Sequence, residues 1–141
     1  MEENYETTGF GMTKKFEIDF AFDIQKILNG IADTLRFDHV DVSKIICMRS
    51  KGSTSKAYAR IWSLERAWQK ALNVEPHYII EVVSPHFDKL PQEEQEKTLI
   101  HELLHIPKTF SGALVPHQCF DKRIDDKRVN KLYETYKKSK V

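Results

Sequence analysis

From Phe20 onward the apolar residues fall at Ile24, Ile27, Leu28, Ile31 and Leu35, the spacing of one stripe on a helix. This predicts an amphipathic helix with one buried face, weakened slightly by Gly30. Val40, Val42 and the run Lys44 to Met48 (KIICM) are rich in β-branched residues and stop at the polar stretch Ser50 to Lys56, which contains Gly52. A strand followed by a flexible loop is expected there. Ala57 to Trp62 alternates and predicts a second strand, after which Ser63 is placed to cap a short helix carrying Leu64, Ala67, Trp68 and Leu72 and ended by Asn73 and Pro76. His77 to Val83 (HYIIEVV), closed by Ser84 and Pro85, is the clearest strand of the chain.

A longer helix is bracketed from Pro91 to His105. Pro91 suits a first helical position, Glu93 and Glu94 favour the positive end of the dipole, and Ile106 before Pro107 is poorly suited to stay helical. Pro107, Gly112 and Pro116 then punctuate an extended loop, and Asp125 to Lys138 predicts a closing helix with Val129, Leu132 and Tyr136 on one face. The first fifteen residues are polar, contain Gly9 and Gly11, and predict a loose arm or an edge segment. No internal repeat is found. The pattern predicts an α+β domain: a small sheet of three to four strands packed with one central helix and flanking helices. Trp62, Trp68 and Phe87 are expected in its core, and Lys137 to Lys140 in a solvated tail.

Composition narrows the function classes. At 141 residues and 40% hydrophobic content one domain over 1–141 is expected, since two ordinary cores need more chain. A formal net charge of +1 provides no general attraction to nucleic acid or membrane, so neither is expected as a partner. No apolar stretch approaches the roughly 20 residues that span a bilayer. Met1 to Tyr5 opens acidic, unlike a secretory leader. Cys47 and Cys119 form no disulfide framework. A soluble, unprocessed, cytoplasmic protein is the expectation; oligomeric state is left open.

The chemistry sits inside the long helix as His101-Glu102-Leu103-Leu104-His105, an HExxH pattern. At i and i+4 two imidazoles share a helix face and can reach one ion at about 2.0–2.1 Å, while Glu102 is rotated off that face. There its carboxylate can take a proton from water acidified by the metal and return it to a leaving amine. A shuffled chain of this composition shows the pattern about once in fifty trials, so the context carries weight. Leu99, Ile100, Leu103 and Leu104 make the helix apolar on most sides, and three ionisable residues among them are costly to bury without a shared purpose. Catalytic zinc usually keeps three protein ligands and one open position. His117, separated from His105 by eleven residues, is the favoured third, with Asp121, Glu134 and Cys119 as alternatives. His39, His77 and His86 lack partners at ligand spacing. Arg60, Tyr58 and His77 are candidate electrophiles for the transition state, and the residues do not choose among them.

The segment HELLHIPKTFSGALVPH (His101 to His117), with AYARIWSLERAWQKAL (Ala57 to Leu72) and PHYIIEVVSPHFDKL (Pro76 to Leu90) before it, resembles a family of metallopeptidases of archaea and phages over about Val40 to Tyr136. The resemblance implies a minimal zincin-like domain with strands before the active-site helix, a Zn2+ cofactor on His101 and His105, Glu102 as general base, and His117 as third ligand because the matching segment ends there. Metzincin spacing is excluded, since it requires Gly at 108 and His at 111 where this chain has Lys108 and Ser111.

Three functions are weighed. The leading one is a zinc peptidase that pairs an extended peptide or protein substrate with an edge strand, for which Tyr78 to Val83 is the candidate. The others are a zinc hydrolase of a non-peptide substrate and a non-catalytic, zinc-stabilised binding module.

Overall fold

The computed structural model describes residues 15–119 and 122–140, so the loose arm expected over 1–15 lies outside it except for Lys15, which has no regular structure. In chain order the elements are β1 (Glu17–Phe20), α1 (Phe22–Thr34), a 3-10 turn (Val42–Lys44), β2 (Ile45–Lys51), β3 (Ala59–Ser63), α2 (Arg66–Leu72), β4 (Tyr78–Val83), α3 (Gln92–Leu103), β5 (Gln118–Cys119), β6 (Lys122–Arg123) and α4 (Asp126–Ser139). Four strands form one sheet in the order β1-β2-β4-β3, and β5 pairs with β6 in a small hairpin. This is the expected α+β class, consistent with a small zincin-like domain.

At the centre of the sheet β2 and β4 run parallel, with Ile45 opposite Tyr78 and Cys47 opposite Ile80. The antiparallel strands β1 and β3 flank them as edges. Side chains alternate between the faces of a strand. Ile45, Cys47, Tyr78, Ile80 and Val82 point to one face and join Ile24, Leu28 and Ile31 of α1 and Leu99, Ile100 and Leu103 of α3 in a single core. Burying each large aliphatic side chain stabilises the fold by about 1.5–3 kcal/mol. The stripe read from Ile24 to Leu35 is therefore the buried face of α1, whose Ile24, Leu28, Ile31 and Ala32 are inside. On the opposite face of the sheet Glu81 is 1% exposed. It is held there by Arg60 Nε and Nη2 at 3.1 and 3.0 Å and by Trp62 Nε1 at 2.8 Å.

Several expectations are corrected by pairing and packing. The strand expected to carry a substrate at its edge, Tyr78 to Val83, is bonded on both sides; β3 is the edge next to α3. β2 runs through Ser50 to Lys51 instead of yielding to a loop, because β1 pairs with it, Glu17 opposite Lys51. β1 itself was not anticipated: its four residues are all exposed and backbone bonding alone defines it. Ser63 ends β3, and α2 begins after Glu65 with no side-chain cap. Trp62 and Trp68, expected in the core, are 51% and 56% exposed, whereas Phe87 is fully buried. Lys137 and Lys138 lie in the last turn of α4. Lys140 is no free tail: its Nζ lies 3.4 Å from the buried carboxylate of Glu96. The same carboxylate accepts weak bonds from Tyr133 and Tyr136, fastening α4 to α3.

Candidate metal centre

Helix α3 begins after Pro91 and carries Glu93 and Glu94 in its first turn. It ends at Leu103, short of the predicted His105. The last turn tightens: the amides of His105 and Ile106 donate to the carbonyls of Glu102 and Leu103, three residues back. His105 thus leaves the helix proper yet keeps its ring beside that of His101, centroid to centroid 5.1 Å.

The loop after α3 then folds back. Val115 N donates to the His105 carbonyl at 2.7 Å, and His105 Nδ1 donates to the Val115 carbonyl at 2.6 Å. Because a carbonyl only accepts, that contact places the proton on Nδ1 and leaves the Nε2 lone pair free. Two residues on, His117 sits with its ring centroid 4.6 Å from His105 and 5.1 Å from His101. Its Nε2 is 3.1 Å from His101 Nε2. The amide of Ile124, a buried residue, donates to the His117 carbonyl at 2.9 Å and ties the loop end to the chain beyond the hairpin.

One ligand atom from each of His101, His105 and His117 lies within 4.8 Å of the others, and these three can hold a metal ion. The donor set fits one. Two nitrogens each about 2.0–2.1 Å from a tetrahedral ion stand roughly 3.3 Å apart, close to the His101–His117 separation. An imidazole that donates its other N–H to a carbonyl is the usual arrangement behind a metal-binding histidine. Burial first, and the adjacent rings of His105 and His117 second, push His101 down to about 4; burial also holds His105 below the ordinary histidine value. Neutral rings with free lone pairs are the form a metal requires.

Glu102, 7% exposed, has its carboxyl pushed up to about 7 by burial. With His101 it lines a cavity of about 490 Å³ whose walls include Tyr58, Ala59, Lys97, Asp126 and Asn130. The cavity runs between the start of the edge strand β3, helix α3 and the start of α4. A family model described as putative phage metallopeptidase matches residues 16–137. The chain belongs to that family. No curated protein and no solved structure gives a match.

For a member of a metallopeptidase family, a metal ion and a peptide or protein substrate are the implied partners. The other sequence candidates separate accordingly. Glu134 is exposed on α4 and lies outside the histidine cluster, so it is corrected as a third-ligand alternative. Asp121 and the side chain of Cys119 lie outside the described residues. Among the candidate electrophiles Tyr58 lines the cavity. Arg60 points to the other face of the sheet, locked on Glu81, and His77 bonds the Glu75 carbonyl away from the cavity. His39, set aside from the sequence, packs near Phe37, and among the described residues it joins no ligand cluster. Two participants carried no sequence signal: the Val115 carbonyl, a backbone atom, and Asp126, which α4 brings to the cavity. No described helix is long and apolar enough to cross a membrane.

Proposed function

We propose that this chain is a zinc-dependent peptidase in which His101, His105 and His117 hold the ion and Glu102 is the general base. The observation that carries the reading is the convergence of three imidazoles beside a buried glutamate that opens on a cavity next to the edge strand β3. Zinc, when bound, supplies a Lewis acid that polarises the scissile carbonyl and lowers the pKa of water to about 7. Glu102 accepts a proton from the attacking water and delivers it to the departing amine. One carboxyl serves both steps because its affinity for protons lies near neutrality.

Strand β3, Ala59–Ser63, an edge of the sheet among the described residues, takes an extended peptide as an added strand beside the cavity that Ala59 lines. Tyr58, immediately before that strand, donates its phenolic O–H to the oxygen on which charge develops. Three nitrogen donors suit zinc, and two cysteines without a disulfide framework suit a reducing cytoplasm.

Glu102→Gln tests the assignment. The variant is expected to bind about one zinc per chain, as the wild type does, and to cleave an unstructured protein about 10²–10⁴-fold more slowly. Wild-type cleavage by a zinc-loaded Glu102→Gln protein would remove the general base from this reading.

A further inference from the structure

We propose that Tyr78 is the positioning residue for the third metal ligand, His117: its hydroxyl anchors the loop that carries that histidine to a fixed point on the central sheet. The inference rests on the metal-site reading above and concerns how that site is held together. Eleven residues separate His105 from His117, and none of them lies in a helix or strand. An irregular stretch of this length loses much conformational entropy when its end is fixed. A ligand delivered by such a loop reaches the ion in one geometry only where the loop is braced.

Tyr78 begins β4, a strand bonded on both sides, and is 1% exposed. Its hydroxyl donates once and accepts once, and both bonds go to the loop. It donates to the Ala113 carbonyl at 2.8 Å and accepts from the Gly112 amide at 2.9 Å. Phe110 packs edge-on against its ring at 5.1 Å. The loop reverses at Gly112, whose φ of +95° suits glycine, and a Cβ there would lie 2.3 Å from Gln69 Nε2. That same nitrogen donates to the Ser111 carbonyl at 3.1 Å, a second and weaker brace from α2.

A buried hydroxyl costs free energy unless it is bonded. Among the core positions of β4, which otherwise carry Ile80 and Val82, a phenylalanine would serve packing equally well. The hydroxyl is explained by the loop. From Ala113 the chain runs two residues to Val115, which bonds His105, and two more to His117. The Tyr78 brace and the His105–Val115 pair thus fix the path that ends at the third ligand.

The test is a double-mutant cycle on the full chain, read as zinc affinity by competition with a chromophoric chelator. Tyr78→Phe, with an unchanged far-UV spectrum in the zinc-free state, is expected to bind zinc about ten- to a hundredfold more weakly. In a His117→Ala background it is expected to produce no further loss, because the ligand through which it acts is gone. Wild-type affinity in Tyr78→Phe, or an equal loss in both backgrounds, overturns the proposal. Should the phenylalanine variant fail to fold, p-aminophenylalanine at 78 keeps a donor for Ala113 and weakens the acceptor for Gly112; an intermediate loss supports the role and none overturns it. If His117→Ala binds zinc as tightly as the wild type, the three-histidine site itself is wrong and this inference falls with it. If His117→Ala weakens binding and Tyr78→Phe does not, the site stands and this inference alone falls.

Discussion

His105 and Val115 bond each other twice, once through the imidazole Nδ1 and once through the backbone amide, at 2.6 and 2.7 Å. The first contact sets the tautomer of a proposed zinc ligand, and the second holds the loop where the first can form. Neither partner owes its role to the Val115 side chain, which leaves a clean way to separate them.

Val115→Pro removes the amide donor, fixing φ at 115 and restricting Leu114 as it does so, while Val115→Ala keeps both backbone groups. Zinc affinity is expected to fall about tenfold or more in the proline variant, as when the hydrogen-bond partner of a metal-binding histidine is lost. The alanine variant should match the wild type. Chelator competition on both proteins decides it, and equal affinities would show that the reciprocal pair does not support the site.

Tyr58 and Arg60 stand two residues apart at the start of β3 but face different surroundings, the cavity and the far side of the sheet. Tyr58→Phe is expected to lower kcat about 10²-fold with little change in KM, the effect of losing one donor to a developing oxyanion. Arg60→Ala is expected to leave kcat unchanged and to cost about 2 kcal/mol of stability, since the buried Glu81 carboxylate loses its ionic partner and both bonds from it. Steady-state kinetics and chemical denaturation of the two variants read these effects separately. Equal loss of kcat in both would contradict the division of the strand.

The Glu81 carboxylate provides a pH test. Burial alone would raise its pKa, but hydrogen bonds to the carboxylate, those from Arg60 foremost, prevail and hold it below the ordinary glutamate value. A folded-state pKa below the unfolded one contributes stability that is present above the unfolded pKa, about 4.3. It is lost as pH falls through the lower, folded value. Unfolding free energy is therefore expected to decline on acidification from about pH 5 downward, with a shallower slope in Glu81→Gln. Denaturant titrations across that range measure it, and parallel slopes would mean that Glu81 does not govern the acid limb.

Local periodicity and spacing were enough to indicate α1, α3, α4, the strands β2, β3 and β4 and the His101-Glu102-His105 cluster, because each depends on residues within a few positions of one another. The stripe from Ile24 to Leu35 and the run of β4, apolar but for Tyr78 and Glu81, report burial directly. Helix α3 ends at Leu103 because the chain tightens into a turn, a choice made by the loop that follows as much as by Pro107.

What lay beyond the sequence depends on contacts across long separations. Glu17–Phe20 becomes a strand because β2 offers it an edge, and Trp62 is exposed because register turns it to the face that holds Glu81. β4 is interior and β3 is the edge, an order that no single strand encodes. Ligand preference alone favoured His117 over Asp121, Glu134 and Cys119 as third ligand, and the resemblance favoured it as well. Its nearness to His101 arises from Tyr78 and Val115 folding the loop back. Backbone carbonyls and amides perform much of that work, and they are the same in every residue but proline; their partners exist only once the tertiary structure has formed.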